Sequence, residues 1–81
     1  MPQEKQLETL LHSLGKTERM LEKLVSDLML HMRQAYQAGH TAEGDAYELA
    51  IAEAKQSLKD TKSHIAQVEL QLYTLRRRKN R

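Results

Sequence analysis

Eighty-one residues with 13 basic and 11 acidic side chains, three tyrosines, and no Phe, Trp or Cys exclude several protein classes at once. So short a chain makes one small domain, no disulfide can staple it, and an alphabet rich in Glu, Lys, Gln, Ala, Leu and Arg is that of helices and coiled coils. Five of the 13 basic residues (Arg76, Arg77, Arg78, Lys79, Arg81) sit in the last six positions, so the formal charge of +2 divides into a body with 8 basic against 11 acidic groups and a basic tail.

The N-terminal Met1-Pro2-Gln3-Glu4-Lys5 lacks a charged-then-apolar signal architecture. The longest apolar-looking run, Leu24 to Met32, is interrupted by Ser26, Asp27 and His31. A membrane span needs roughly 18 apolar residues. A cytoplasmic protein with no membrane contact is expected.

Gln3 to Ala38 reads as the first helix. Leu7, Leu14, Leu21, Leu28 and Ala35 take heptad position a, with Leu10, Thr17, Leu24, His31 and Ala38 at d; this three-four spacing is a strong helix signal. Ser13-Leu14-Gly15-Lys16-Thr17 is its weak point. Glycine inside a helix costs about 1 kcal/mol relative to Ala, and Ser13 or Thr17 can cap a new helix. Two forms stay open: one continuous helix, or a short N-terminal helix hinged near Gly15.

The turn spans residues 39–45. Gly39 stands where a glycine ends a helix, and Asp45-Ala46-Tyr47-Glu48 has the form of a capping box, with Thr41 as an earlier alternative cap. So short a connection forces the helices antiparallel. The second helix runs from about Ala46 to Arg77, with Ile51, Leu58, Ile65 and Leu72 at a, and Tyr47, Ala54, Thr61, Val68 and Leu75 at d. The expected fold is all-α: an antiparallel, coiled-coil-like two-helix hairpin forming a single domain over 1–81, ending in the basic tail 76–81.

The two helices carry unequal apolar faces. Beyond a and d, the first helix adds Leu11, Val25 and Met32 at e, and Met29 and Tyr36 at b. One partner helix cannot cover both stripes, and about 300 Å² of wet apolar surface would be a solubility liability for so small a protein. Val25, Met29, Met32, Tyr36 and Leu11 are therefore the expected partner-binding residues. Self-association into a four-helix bundle or a different protein satisfies that need equally, and flexible methionines suit the second.

No chemistry competes with this reading. The histidines His12, His31, His40 and His64 have no i, i+3 or i, i+4 pairing, so no metal site is expected. Glu18 and Glu22 alternate with Arg19 and Lys23, as on a solvated charged face. A two-helix hairpin offers no dry concave pocket, so no catalytic residue, cofactor or enzymatic activity is expected. The basic tail has an attraction for nucleic-acid phosphates as its functional reading, but no aromatic lies beyond Tyr73 to stack bases.

With these residues in view, the chain resembles the small helical-hairpin co-chaperones of the bacterial type III secretion needle-subunit chaperone pair. The likeness is carried by Leu7-Glu8-Thr9-Leu10-Leu11-His12-Ser13, by the helix end from Arg33 to Gly39, by Asp45 and Tyr47 after the turn, and by Ala50, Ala54, Leu58 and Ile65 on the inner face of the second helix. The resemblance implies a cytoplasmic protein that binds a helical-repeat chaperone. Together the two would keep a needle subunit monomeric before export. The alternative is a homodimeric four-helix-bundle adaptor or regulator with a nucleic-acid-binding tail.

Overall fold

The computed structural model describes residues 2–79. It is an antiparallel hairpin of two helices, α1 (Pro2–Gln37) and α2 (Thr41–Lys79), forming a rod of 64 × 14 × 13 Å. Helix α1 runs unbroken through Gly15, so the hinged form is not adopted. The Thr17 hydroxyl, free to cap a new helix had the chain broken there, instead donates to the Ser13 carbonyl one turn back at 3.2 Å. The tail residues Asn80 and Arg81 lie outside the described residues.

The connection is shorter than expected. Gly39 adopts φ +79°, a left-handed conformation open to glycine without a Cβ penalty. Its amide donates to the Tyr36 carbonyl at 3.0 Å while the His40 amide donates to the Ala35 carbonyl at 2.8 Å, the paired bonds of a Schellman ending. The His40 carbonyl then accepts from the Gly44 amide at 2.9 Å, which starts α2 immediately. The turn is thus residues 38–40, rather than 39–45, and the second helix begins at Thr41 instead of about Ala46. His40 occupies the capping position, its Nδ1 3.3 Å from Glu43 Oε2. Asp45 lies inside the helix, because the Schellman bonds leave the chain already pointed back along α1.

The inward face of α1 also differs from the a/d reading. Apart from Gly15, its half-buried or buried positions are 4, 7, 11, 14, 18, 21, 25, 28, 32 and 35, whereas Leu10, Thr17, Leu24, His31 and Ala38 are exposed. The residues expected at e therefore join Leu7, Leu14, Leu21, Leu28 and Ala35 in the seam, and the residues expected at d flank it. In α2 the seam is Gly44, Tyr47, Ile51, Ala54, Leu58, Thr61, Ile65, Val68, Leu72 and Leu75, matching the expected heptads. Ala35, Ile51, Ala54, Val68 and Leu72 are its buried apolar residues.

Two three-four repeats meeting head to tail from one tight turn define layers. Stepped outward from Ala35 and Gly44, the fifth and sixth layers from the open end are Glu18 with Thr61 and Leu21 with Leu58. Between the Glu4 layer at the open end and the Tyr47 layer near the turn, Glu18 and Thr61 interrupt an aliphatic stack, and both are half-buried. Polar groups in a helical seam set register at a cost in stability. Replacing both by Leu should therefore stabilise the hairpin by about 1–3 kcal/mol and raise Tm in thermal circular dichroism. An unchanged or lower Tm would show that these two positions do not share a desolvated layer.

Candidate interaction surface

Corrected numbering makes the two long sides of the rod distinct. Taking Glu4 and Gly44 as position a, seam flanks e and b form one side, and g and c form the other, because antiparallel helices set like flanks together. The grooves follow this division. One, lined by Glu8, His12, Gly15, Arg19, Glu69, Tyr73 and Arg76 among others, opens on the e side. Another, lined by His31, Gln34, Glu43 and Tyr47 among others, opens on the g side.

The turn end is locked on the e side. The Tyr36 hydroxyl donates to Asp45 Oδ1 at 2.7 Å, and its ring lies over Gly44. A Cβ on Gly44 would approach ring atoms Cδ1 and Cζ to 2.6 and 2.7 Å, so the second helix is buried here because its glycine has no side chain. The hydrogen bond to Asp45, with desolvation and the neighbouring carboxylates of Asp45 and Glu48, pushes the Tyr36 phenol up to about 12. Across the seam on the opposite side, the His31 and Tyr47 rings stack with centroids 5.7 Å apart.

The open end is clasped by the basic tail. Arg76 reaches two carboxylates of α1, with Nε 3.1 Å from Glu4 Oε1 and Nη2 2.9 Å from Glu8 Oε1. Lys79 Nζ lies 3.7 Å from Glu4 Oε2. The hydrogen bond from Arg76 holds the Glu4 carboxyl below its ordinary value. The clasp thus contributes fully above the ordinary carboxylate range and is lost as pH falls through the depressed value. Two of the tail cations close the hairpin; Arg77 and Arg78 remain exposed.

Of the five residues expected to bind a partner, Leu11, Val25 and Met32 are half-buried against α2, while Met29 and Tyr36 are exposed. The apolar surplus nevertheless lies on α1. Leu10, Met20, Leu24, Met29, Leu30 and Tyr36 are its exposed large apolar residues, against Leu49, Leu70 and Tyr73 on α2. Met20 is 71% exposed and Leu24 45%, and they stand one turn apart on the g side. The sequence does not reveal this pair as a surface, because heptad spacing alone places Leu24 in the seam. No helix among the described residues is long and apolar enough to cross a membrane, and no group of three or more His, Cys, Asp or Glu among them could hold a metal ion.

No family model, curated protein or solved structure matches this chain. What the molecule can do therefore rests on its own surface: two open sides, each with apolar side chains among charges.

Two measurements test the turn lock. Gly44→Ala should destabilise the protein by about 1–3 kcal/mol through overpacking. In a Tyr36→Ala background the same change should become stabilising by up to about 1 kcal/mol through helix propensity; destabilisation in both backgrounds would mean that the ring does not occupy this space. Absorbance titration of a Tyr47→Phe, Tyr73→Phe variant should place the Tyr36 midpoint near 12 and Asp45→Asn should lower it. Because the folded value is raised, the lock's stability is present below pH 10 and is lost as pH rises from about 10 through 12.

Proposed function

We propose that this hairpin is a non-enzymatic adaptor that works by binding other helical proteins. The single observation that carries this reading is the exposed apolar surplus of α1 on a rod one seam thick. A two-helix molecule has no second layer under which Met20, Leu24 or Met29 can fold. Covering them requires another polypeptide.

The more specific role we propose is that of a cytoplasmic type III secretion co-chaperone. It would join a helical-repeat chaperone, and the pair would hold a needle subunit monomeric before export. Support comes from the resemblance in layout and from positions that carry it: Ala54 is buried and Ala50, Leu58 and Ile65 are half-buried on the inner side of α2. The chain departs from that pattern at Gly44 and the tail. Each has a local task here, since Gly44 receives the Tyr36 ring and Arg76 and Lys79 close the open end.

A homodimeric, nucleic-acid-binding adaptor is the second reading. It retains Arg77 and Arg78 as exposed cations on the last turn, but Arg76 and Lys79 already serve carboxylates of the same chain. We place it behind the first.

Co-expression with a needle subunit and its helical-repeat chaperone tests the proposal directly. A ternary complex should co-purify, and Met20→Asp with Leu24→Asp should weaken it about 100-fold, as expected for two buried anchors, with helicity retained by circular dichroism. Loss through Met29→Asp instead would move the partner to the e side. Met32 is unsuited to this test, since a charge there enters the seam. Failure of the wild-type chain to join either protein would remove the secretion role.

A further inference from the structure

The g side has a charge pattern of its own. Leu10, Met20 and Leu24 share this side with Asp27 from α1 and Glu53 and Asp60 from α2, all exposed. Among the described residues none of these three carboxylates makes an ion pair; Asp60 only accepts from Gln56 Nε2 at 3.0 Å. The remaining flank positions between the layers, Ser13, Thr17, His31, Ala50, Ser57 and His64, carry no Lys or Arg. Arg78, at the far open end, is the cation of this side. The e side differs: Arg19, Arg33, Lys55, Lys59 and Lys62 interleave there with Glu22, Glu48 and Glu69. Lys16 and Lys23 lie beyond this strip, on the outer face of α1; the flanks next to the seam carry carboxylates without Lys or Arg from Leu10 to Asp27, and that makes a template for the opposite sign.

We propose that the g side seats a basic amphipathic helix of another protein, laid lengthwise along this side of the rod. Its apolar stripe would rest on Leu10, Met20 and Leu24, and its flanking Lys or Arg would face Asp27, Glu53 and Asp60. From Leu10 to Asp27 the surface runs roughly 25 Å, so a helix of about 20 residues covers it with a turn to spare. The arrangement is helix-in-groove recognition, with the rim charges selecting the partner and its orientation.

A second copy of this chain is a poorer occupant on the same evidence. Symmetric g-to-g packing would set Asp27, Glu53 and Asp60 against their own equivalents, and like charges juxtaposed at an interface cost several kcal/mol. Packing the g side of one copy on the e side of the next is heterologous and does not close. The inference rests on reading the hairpin as a protein-binding module, and it is independent of whether the partner belongs to a secretion system.

Two fluorescein-labelled 21-residue peptides provide the test. Both carry the same Leu stripe at helical spacing; one has Lys flanks and the other Glu flanks. Anisotropy titrations should show the Lys peptide binding the full chain at least 10-fold more tightly, with the difference shrinking as salt rises. The triple change Asp27→Lys, Glu53→Lys, Asp60→Lys should reverse the preference. Glu22→Lys, Glu48→Lys, Glu69→Lys makes the same change in net charge on the e side and should leave the preference intact. Leu24→Asp should abolish binding, and the helix-compatible Leu24→Ala should weaken it several-fold, so a folding defect in the first cannot mask the answer. Equal effects of the two triple variants, or wild-type binding by Leu24→Ala and Leu24→Asp alike, would overturn the proposal. So would sedimentation showing a wild-type oligomer that Leu24→Asp dissociates, which would make a second copy the occupant. Peptide discrimination with no needle-chaperone complex would sustain this inference while removing the secretion role.

Discussion

The rest of the molecule depends on how the chain reverses at Gly39. A left-handed residue there lets Ala35 and Tyr36 accept from His40 and Gly39, and the carbonyl of His40 opens the next helix at once. With three residues between the helices, neither can rotate about its axis independently of the other. Ala35 becomes the last seam residue of α1 and Gly44 the first of α2. Every later layer follows from these two by steps of three and four, which is why one backbone conformation selects the whole seam, from Ala35 and Gly44 to Glu4 and Leu75.

A rod this thin stabilises itself differently from a globular domain. Each layer buries a pair of side chains against one another and leaves the flanks in water, so most seam residues are only half-buried. Fraying from the ends is the natural failure of such a ribbon. Both ends are accordingly tied by side chains: Tyr36 to Asp45 over Gly44 at the turn, and Arg76 with Lys79 to Glu4 and Glu8 at the opening. The basic tail, which in isolation suggests an external anion, has internal ones.

The same thinness leaves the candidate surface exposed. Apolar residues that a third layer would hide in a larger protein stay outside here, and charge sorts onto the two sides unequally. Carboxylates flank the exposed leucines and Met20 on the g side, whereas both signs mix on the e side. For a partner helix of the kind proposed, apolar area would give affinity and the charge of the rim would restrict which helix qualifies. The adaptor role proposed above draws on this: two helices alone are too little structure to cover the first of them.

Two helices, their antiparallel order, the glycine at the reversal and the full heptad register of α2 are legible in the amino-acid sequence, because three-four apolar spacing and a helix-ending glycine act locally. The register of α1 is not. Its Leu7 to Ala35 series is flanked by two sets of comparable apolarity, Leu10, Leu24 and Ala38 on one side and Leu11, Val25 and Met32 on the other. Periodicity alone cannot choose between them. The choice falls to contacts distant in sequence: a turn that aligns Ala35 with Gly44, and a Glu4 that finds Arg76 seventy-two residues away. Once the seam takes Leu11, Val25 and Met32, the surface is left with Leu10 and Leu24, so which apolar residues stay exposed was decided only when the two helices met.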